Sequence, residues 1–451
     1  MGRIFGTDGV RGVANRDVTP ELAFKIGRAT AKAIAAAAAD AHRPIVVGRD
    51  TRLSGTMLEA ALVAGIASTG RDTLSLGVVP TPGVAFVTVA TGAAAGIVIS
   101  ASHNPIEDNG IKIFAADGFK LSDAEEDALE AEIANDTALR PTHAAVGIAR
   151  RAPDLVERYV ATLVAAGSDL SSLTVVVDAA YGAAYEVGPR ALATLGATVE
   201  PLHAADDGSR INVACGSTDM STLISRVASL AAERPHAHVL GVAFDGDADR
   251  ALFLDENGQI RNGDHAMLIL AREHKRRGTL AGDTVVGTVM SNVGLERALR
   301  AEGIALERAA VGDRYVLERM RSAGLSLGGE QSGHVIDLAR NTTGDGPAAA
   351  VAVLSAVVRN KSTLAKLASA LVVAPQVLVN VRTPNKTVLN ELPVRAAIAR
   401  VEAELATDGR VLVRASGTEP LIRVMIEGDD QQRIDRLASE LAEVVARSAR
   451  S

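Results

Sequence analysis

The chain has 451 residues, of which 47% are hydrophobic and only 2% aromatic, so its length suits about three or four domains with cores of Ala, Val, Leu and Ile. A net charge of −7 offers no basic field for nucleic acid or an anionic membrane, and so few rings exclude a base-stacking platform. A single cysteine, Cys215, excludes an intrachain disulfide, fits a reducing cytoplasm and reads as a small core or loop residue.

The opening Met-Gly-Arg-Ile-Phe-Gly carries no apolar leader, and with Gly6 no myristoylation pattern. Thr19-Pro20-Glu21 opens a helix with a cap, a proline in the first turn and an acid at the positive dipole end. The alanine-rich run to residue 39 extends it by propensity. Short apolar strands are predicted at 45–48, 74–79, 96–100 and 111–114, with a helix at 58–68 that stops at Gly70. A charged helix over 122–140 and a linker over 141–153 follow. The pattern restarts with helix 155–165, strand 173–178, a helix ending near Gly196 and strand 239–244. After the hairpin-type turn Asn257-Gly258 it restarts again: helices 264–277, 293–302 and 347–358, strands 284–288 and 325–328. The longest apolar run, near 348–358, falls well short of the ~20 residues of a membrane span. Strands 377–381, 411–414 and 422–427 then alternate with amphipathic helices 394–405 and 431–445. The chain therefore divides into three α/β domains with mixed sheets, at 1–150, 151–255 and 256–372, and a smaller α+β domain at 373–451.

Three polar motifs each follow an apolar strand directly, the position where open α/β sheets bind ligands. The first is Ser100-Ala-Ser-His-Asn-Pro105. A serine in such a turn is ordinarily only a turn residue, and no nucleophile elbow surrounds Ser102. Its neighbour His103 is adjacent in sequence, which does not put the ring on the hydroxyl. A phosphate-carrying serine suits the motif better than a hydrolase triad. Downstream, Lys112 and Lys120 are candidates for substrate contact or proton transfer, with surface lysine as the default.

The second motif, Asp245-Gly-Asp-Ala-Asp-Arg250, is stronger. In an extended loop the carboxylates of Asp245, Asp247 and Asp249 face one way and repel, and a cation resolves the repulsion. An EF-hand matches at Glu256 but fails at Arg250, where a glycine is needed. Oxygen ligands suit Mg²⁺, and Arg250 is placed to neutralise a transferring phosphoryl group. The sequence suggests no His/Cys cluster for zinc.

The third motif, Gly329-Glu-Gln-Ser-Gly-His334, sets Glu330, Ser332 and His334 on a short loop whose alternation suits sugar hydroxyls, as it suits any polar turn. The fourth, Arg414-Ala-Ser-Gly-Thr-Glu-Pro-Leu-Ile-Arg423, offers Ser416, Gly417 and Thr418 as a phosphate cradle and Arg414 and Arg423 as bidentate charge. No P-loop is present. Gly344-Asp-Gly346-Pro-Ala-Ala349 reads as a helix start, since no strand precedes it.

These four motifs in this order resemble the α-D-phosphohexomutase superfamily over essentially the whole length. Phe5-Gly-Thr-Asp-Gly-Val-Arg-Gly12, the Ala-Ser-His-Asn-Pro form around Ser102 and Gln331 in the third motif resemble its bacterial branch acting on glucosamine phosphates. The resemblance implies four domains around a central cleft, a phosphoserine at Ser102, and Mg²⁺ held by Asp245, Asp247 and Asp249 together with the Ser102 phosphate. It implies Glu330 and Ser332 on the sugar hydroxyls, and Arg414, Ser416, Gly417, Thr418 and Arg423 on the non-reacting phosphate. Arg11, Lys112 and His334 match positions around the reacting groups, the acid and base among them left open. The implied reaction interconverts glucosamine 6-phosphate and glucosamine 1-phosphate through a hexosamine 1,6-bisphosphate. It feeds UDP-N-acetylglucosamine and cell-wall precursor synthesis in a cytoplasmic homodimer that binds neither nucleic acid nor membrane. The same chemistry on glucose or mannose phosphates, a silent phosphosugar-binding protein and a metal-dependent phosphatase are the rivals.

Overall fold

The computed structural model describes residues 4–6, 8–33, 43–138, 140–415 and 420–450. The end of the alanine-rich run, at 34–39, lies outside the described residues. Three mixed sheets and one antiparallel sheet follow one another along the chain. The first holds β1 (Val10–Val13), β2 (Ile45–Arg49), β3 (Thr73–Val78), β4 (Ala95–Ile99), β5 (Asp108–Ala115) and β6 (Ala149–Arg151), in the order β1-β5-β4-β2-β3-β6. Its centre is parallel; β5 runs antiparallel to β4, and β1 runs antiparallel to β5. The second holds β7 (Leu173–Asp178), β8 (Thr198–Leu202), β9 (His238–Phe244), β10 (Ala251–Leu254) and β11 (Ile260–Arg261), in the order β11-β10-β9-β7-β8. The third runs β13-β12-β14-β15, from β12 (Thr284–Thr288), β13 (Ala305–Ala309), β14 (Leu327–Gly329) and β15 (Val335–Asp337). The fourth is β16 (Gln376–Arg382), β18 (Leu421–Gly428) and β17 (Gly409–Ala415), antiparallel throughout, under the helices Leu392–Leu405 and Gln431–Ser448.

The central parallel strands are continuous apolar runs because helices cover both faces. β4 and β12 are buried at every residue, and β9 at all but its first. The longest apolar stretch of the sequence becomes the helix Gly346–Arg359, buried from Gly346 to Val357. A helix apolar on all sides can only sit inside. Ala348 packs into a core with Val84, Tyr159 and Val187, while Ala349–Val357 join a core shared by the second and third sheets. Asp345 caps the helix, accepting from the Ala348 N–H at 2.8 Å and from the Tyr159 hydroxyl at 2.8 Å. That cap explains why Gly344–Gly346 begins a helix and not a dinucleotide loop.

One expectation is corrected. The stretch 141–153 is not a bare linker: β6 adds to the edge of the first sheet, parallel to β3, because the extended backbone supplies ladder partners that β3 would otherwise lack. Its three exposed, partly basic residues gave no apolar strand pattern to read.

The fourth sheet is tied to the third by buried charge. Glu427, on β18, accepts from Asn292 Nδ2 at 3.2 Å and from Arg410 Nη2 at 2.8 Å. Asp264 accepts from the Asn292 backbone N–H at 2.9 Å, and burial pushes its carboxyl up to about 6. A carboxyl raised on folding stabilises the fold while protonated, fully below its unfolded pKa, and that contribution is lost as pH rises through about 6. Asp264→Asn keeps an acceptor for Asn292 and cannot ionise. In urea melts it should gain stability over the wild type by roughly 1 kcal/mol between pH 5 and pH 7.5. An advantage that is flat or shrinks with pH would refute this.

Candidate active site

The strand ends bring the first three motifs together. Ser102 follows β4, Asp245 follows β9 and Glu330 follows β14. Backbone bonds tie the acidic loop to the residues that follow β3 and to the third motif. Thr81 N donates to Asp247 O at 2.9 Å, and Ala251 N donates to Gly333 O at 3.1 Å.

Ser102 is 1% exposed and sits in the left-handed region at φ 51°. Its hydroxyl donates to Asp245 Oδ2 at 2.7 Å. His103 Nδ1 lies 3.2 Å from the same oxygen, so the ring does reach the hydroxyl, which adjacency in sequence could not establish. Burial, then the charges of Arg250 and Arg11, push the His103 ring down to about 4, leaving it neutral at physiological pH.

Asp245, Asp247 and Asp249 are buried, with ligand-capable atoms within 4.8 Å of one another. The loop that gathers them is a tight turn, not an extended segment. Ala248 N bonds back to Asp245 O at 3.0 Å, and Ala248 adopts φ 55°. Burial, then the charges of Asp249 and Asp247, push Asp245 well above the usual carboxyl range. Asp249 is held well below it: burial opposes, but His334 and Lys112 outweigh it. Asp247 Oδ1 and Asp249 Oδ1 are buried without a hydrogen-bond partner. Two orphaned carboxylate oxygens beside a raised third are what a hard cation would satisfy, so this acidic triad fits a metal ion.

Cations ring the triad. Lys112 is buried, not on the surface. Its ammonium lies 2.8 Å from Asp247, 3.1 Å from Asp8 and 3.7 Å from Asp249, and these charges raise its pKa against burial. Lys120 is half-buried and pairs with Asp8 and Asp313, whose charges raise its pKa against desolvation. Arg250 Nε lies 3.7 Å from Asp249, and the Arg250 backbone N–H reaches Asp245 Oδ1 at 3.3 Å. Arg11 pairs with Asp8 and donates to Asn104 Oδ1 at 3.3 Å.

His334 leaves the other residues of its motif. It is buried, with Nδ1 3.5 Å from Asp249 and Nε2 3.6 Å from Asp313. Asp249 raises its ring above the ordinary value against the pull of burial. Glu330 and Ser332 stay together: Ser332 Oγ donates to Glu330 Oε2 at 3.5 Å, and Glu330 Oε1 accepts the Gly312 N–H at 2.9 Å. Gln331 fixes the loop from behind, its carbonyl accepting the Gly263 N–H at 3.1 Å.

In the fourth motif Arg414 and Arg423 are direct partners across β17 and β18. Burial and then the Arg423 charge lower the Arg414 pKa. Ser416, Gly417 and Thr418 lie outside the described residues.

The sequence reading passed over several partners. Asp8 stands in the quoted N-terminal motif, three residues before Arg11, which was the available signal. Asp313 and Thr81, whose hydroxyl donates to Asp247 Oδ2 at 2.6 Å, gave none. A further correction concerns His/Cys chemistry. Asp178, His203 and Cys215 converge from three segments, with ligand-capable atoms within 4.8 Å. The trio is self-satisfied: His203 Nδ1 is 3.0 Å from Asp178 Oδ2, Asp178 Oδ1 accepts the Ala180 N–H, and burial pushes the Cys215 thiol up to about 12.

A metal-fitting carboxylate triad against a buried serine, beside a separate arginine pair, defines a phosphoryl-transfer protein of four domains. Four domain profiles of one family match along the chain: Phosphoglucomutase/phosphomannomutase alpha/beta/alpha domains I, II and III over residues 2–140, 157–258 and 262–374, and the C-terminal domain over 378–444. The chain belongs to the phosphoglucomutase/phosphomannomutase family. It is 54% identical over 449 residues to phosphoglucosamine mutase of Symbiobacterium thermophilum, covering 99% of each chain. It is 50% identical over 449 residues to that of Rhodococcus jostii, covering 99% of this chain and all of the other. Among solved structures, a phosphoglucomutase/phosphomannomutase family protein from Burkholderia thailandensis has a TM-score of 0.83 at 25% identity, covering 99% of this chain and 97% of that one.

Proposed function

We propose that the chain is a phosphoglucosamine mutase, interconverting glucosamine 6-phosphate and glucosamine 1-phosphate. The observation that carries this is Ser102 Oγ, 2.7 Å from a buried carboxylate triad, in a chain about half identical to phosphoglucosamine mutases from end to end.

Ser102, Asp245, Asp247 and Asp249 would hold Mg²⁺, which when bound supplies electrostatic stabilisation of a transferring phosphoryl group. Ser102 carries the phosphoryl group. Its Oγ–P bond breaks as the sugar's C1 hydroxyl bonds to phosphorus, giving glucosamine 1,6-bisphosphate, with the hydroxyl proton passing to a base in the cluster. His103 is the neutral ring nearest Ser102 Oγ, while Lys112, Arg250 and Arg11 counter the phosphate charge. The bisphosphate then turns round, and Ser102 takes the phosphoryl group from O6. Two phosphate sites are therefore needed. Arg414 and Arg423, with 416–418, hold the phosphate that does not react, and Glu330 and Ser332 read the sugar hydroxyls. His334, wedged between Asp249 and Asp313, holds the acidic loop against the third domain.

Initial rates on glucosamine, glucose and mannose 6-phosphates with Mg²⁺ test the assignment. Glucosamine 6-phosphate should give kcat/KM at least about tenfold above the others, since a site that hydrogen-bonds a substrate group rejects analogues lacking it. Equal or higher efficiency on glucose 6-phosphate would overturn it.

A further inference from the structure

The Ser102 loop is held from behind by two side chains that touch none of the reacting groups. Arg52 is 1% exposed, and all five of its guanidinium N–H groups have acceptors. Nη2 donates to Ser102 O at 3.0 Å and to Asn104 O at 2.8 Å. Nη1 donates to Pro105 O at 2.5 Å and to Asp108 O at 2.9 Å, and Nε donates to Asp50 Oδ2 at 3.1 Å. Asp50 completes the circuit: it accepts from Ser100 Oγ at 2.5 Å, which accepts from the Ser102 N–H at 3.0 Å.

The second holder comes from the other side. Asn212, in the loop that follows β8, donates through Nδ2 to the same two carbonyls, Ser102 O at 2.8 Å and Asn104 O at 3.3 Å. Two carbonyls of the nucleophile's turn thus each receive one donor from the first domain and one from the second. The approach depends on Gly246 of the acidic loop, where a Cβ would fall 2.4 Å from Ser102 O and 2.8 Å from Asn212 Nδ2. Ser102 needs such support, because its left-handed backbone costs a residue with a Cβ on the order of 1–2 kcal/mol.

We infer that Arg52 and Asn212 form a two-domain clamp on the carbonyls of the Ser102 turn, so that seating of the second domain against the first aims the phosphoryl-bearing oxygen. Both are positioning residues. They hold the backbone and leave Oγ free to give and retake the phosphoryl group at one place, first for O1 and then for O6. The inference rests on Ser102 as the phosphoryl carrier.

Asn212 is partly exposed, so its variants separate aim from folding. Asn212→Ala removes the second-domain donor. Asn212→Asp keeps the volume and turns a carboxylate oxygen toward two carbonyls, so it should be the worse of the two. Per folded enzyme, kcat should fall roughly tenfold for the first and about 100-fold for the second, with KM changed less than about threefold. The phosphoserine resonance in phosphorus NMR should shift or broaden in both. Arg52→Lys, with three donors in place of five, should resemble Asn212→Asp. Wild-type kcat and an unmoved phosphoserine resonance in both Asn212 variants would overturn the clamp. So would a loss confined to KM, or one that vanishes when normalised to folded protein. A wild-type enzyme that turns over without a phosphoserine would instead remove the phosphoryl-carrier reading itself.

Discussion

Ser102→Ala will leave a folded protein that still binds phosphosugar but turns over on the order of 10⁴-fold or more slowly. The side chain being removed is small, and its single strong contact is the 2.7 Å bond to Asp245. The turn itself is held by Arg52 and Asn212 through main-chain carbonyls, so the loop survives the substitution. Among the described residues, the two hydroxyls bonded around Ser102 and the acidic loop are already engaged. Thr81 Oγ1 is committed to Asp247, and Ser100 Oγ is committed to Asp50 and the Ser102 N–H. Intact-mass measurement should show a phosphoryl adduct on the wild type and none on the variant, and isothermal titration should show substrate binding retained through the arginine pair. Retained turnover in Ser102→Ala would remove Ser102 from the reaction.

Asp245→Asn will make the metal-free protein more stable at neutral pH while lowering activity by about 10³-fold or more. Asp245 is a buried carboxyl pushed well above its usual range by burial and by Asp249 and Asp247. Such a group stabilises the fold only while protonated, and that contribution disappears as pH rises through its folded pKa. Above the ordinary carboxyl range the fold must either keep Asp245 protonated or ionise it beside Asp247 and Asp249, and both work against folding unless a cation is bound. Asparagine removes one charge. It keeps an acceptor for the Arg250 N–H and a polar partner for Ser102. Thermal melts in chelator at pH 7.5 should place Tm of the variant above that of the wild type. Added Mg²⁺ should raise the wild type, by about 2.7 kcal/mol at a hundredfold excess over Kd, and leave the variant little changed. A variant less stable than the wild type in chelator would contradict the reading of the triad as a strained, cation-seeking group.

How much of this was legible depended on the range of the physics involved. Strand runs and helix starts are local, so the apolar strands β4, β9 and β12 and the helix starts at Thr19-Pro20 and Gly344–Gly346 were all readable from neighbouring residues. The edge strand β6 was not, because its pairing with β3 owes nothing to its own polar sequence. The triple aspartate was readable because like charges at close spacing need an explanation wherever they occur. The burial of Lys112 and the pairing of Lys120 were not, since their partners lie far along the chain: Asp247 for the first and Asp313 for the second. His103 marks the same boundary, because only the left-handed turn at Ser102 brings its ring to the hydroxyl. Asp178 and His203 meet at the adjacent ends of β7 and β8, and the loop that follows β8 folds Cys215 back onto them.

The central claim is that Ser102 passes one phosphoryl group to the sugar and takes back the other. The direct measurement is a single turnover of enzyme radiolabelled on Ser102 with unlabelled glucosamine 6-phosphate and Mg²⁺, quenched and separated by charge. The label should leave the protein for glucosamine 1,6-bisphosphate and glucosamine 1-phosphate at the rate of turnover, with the enzyme re-phosphorylated from the substrate. Label released as inorganic phosphate at that rate, or label that stays on Ser102 while product forms, would contradict it.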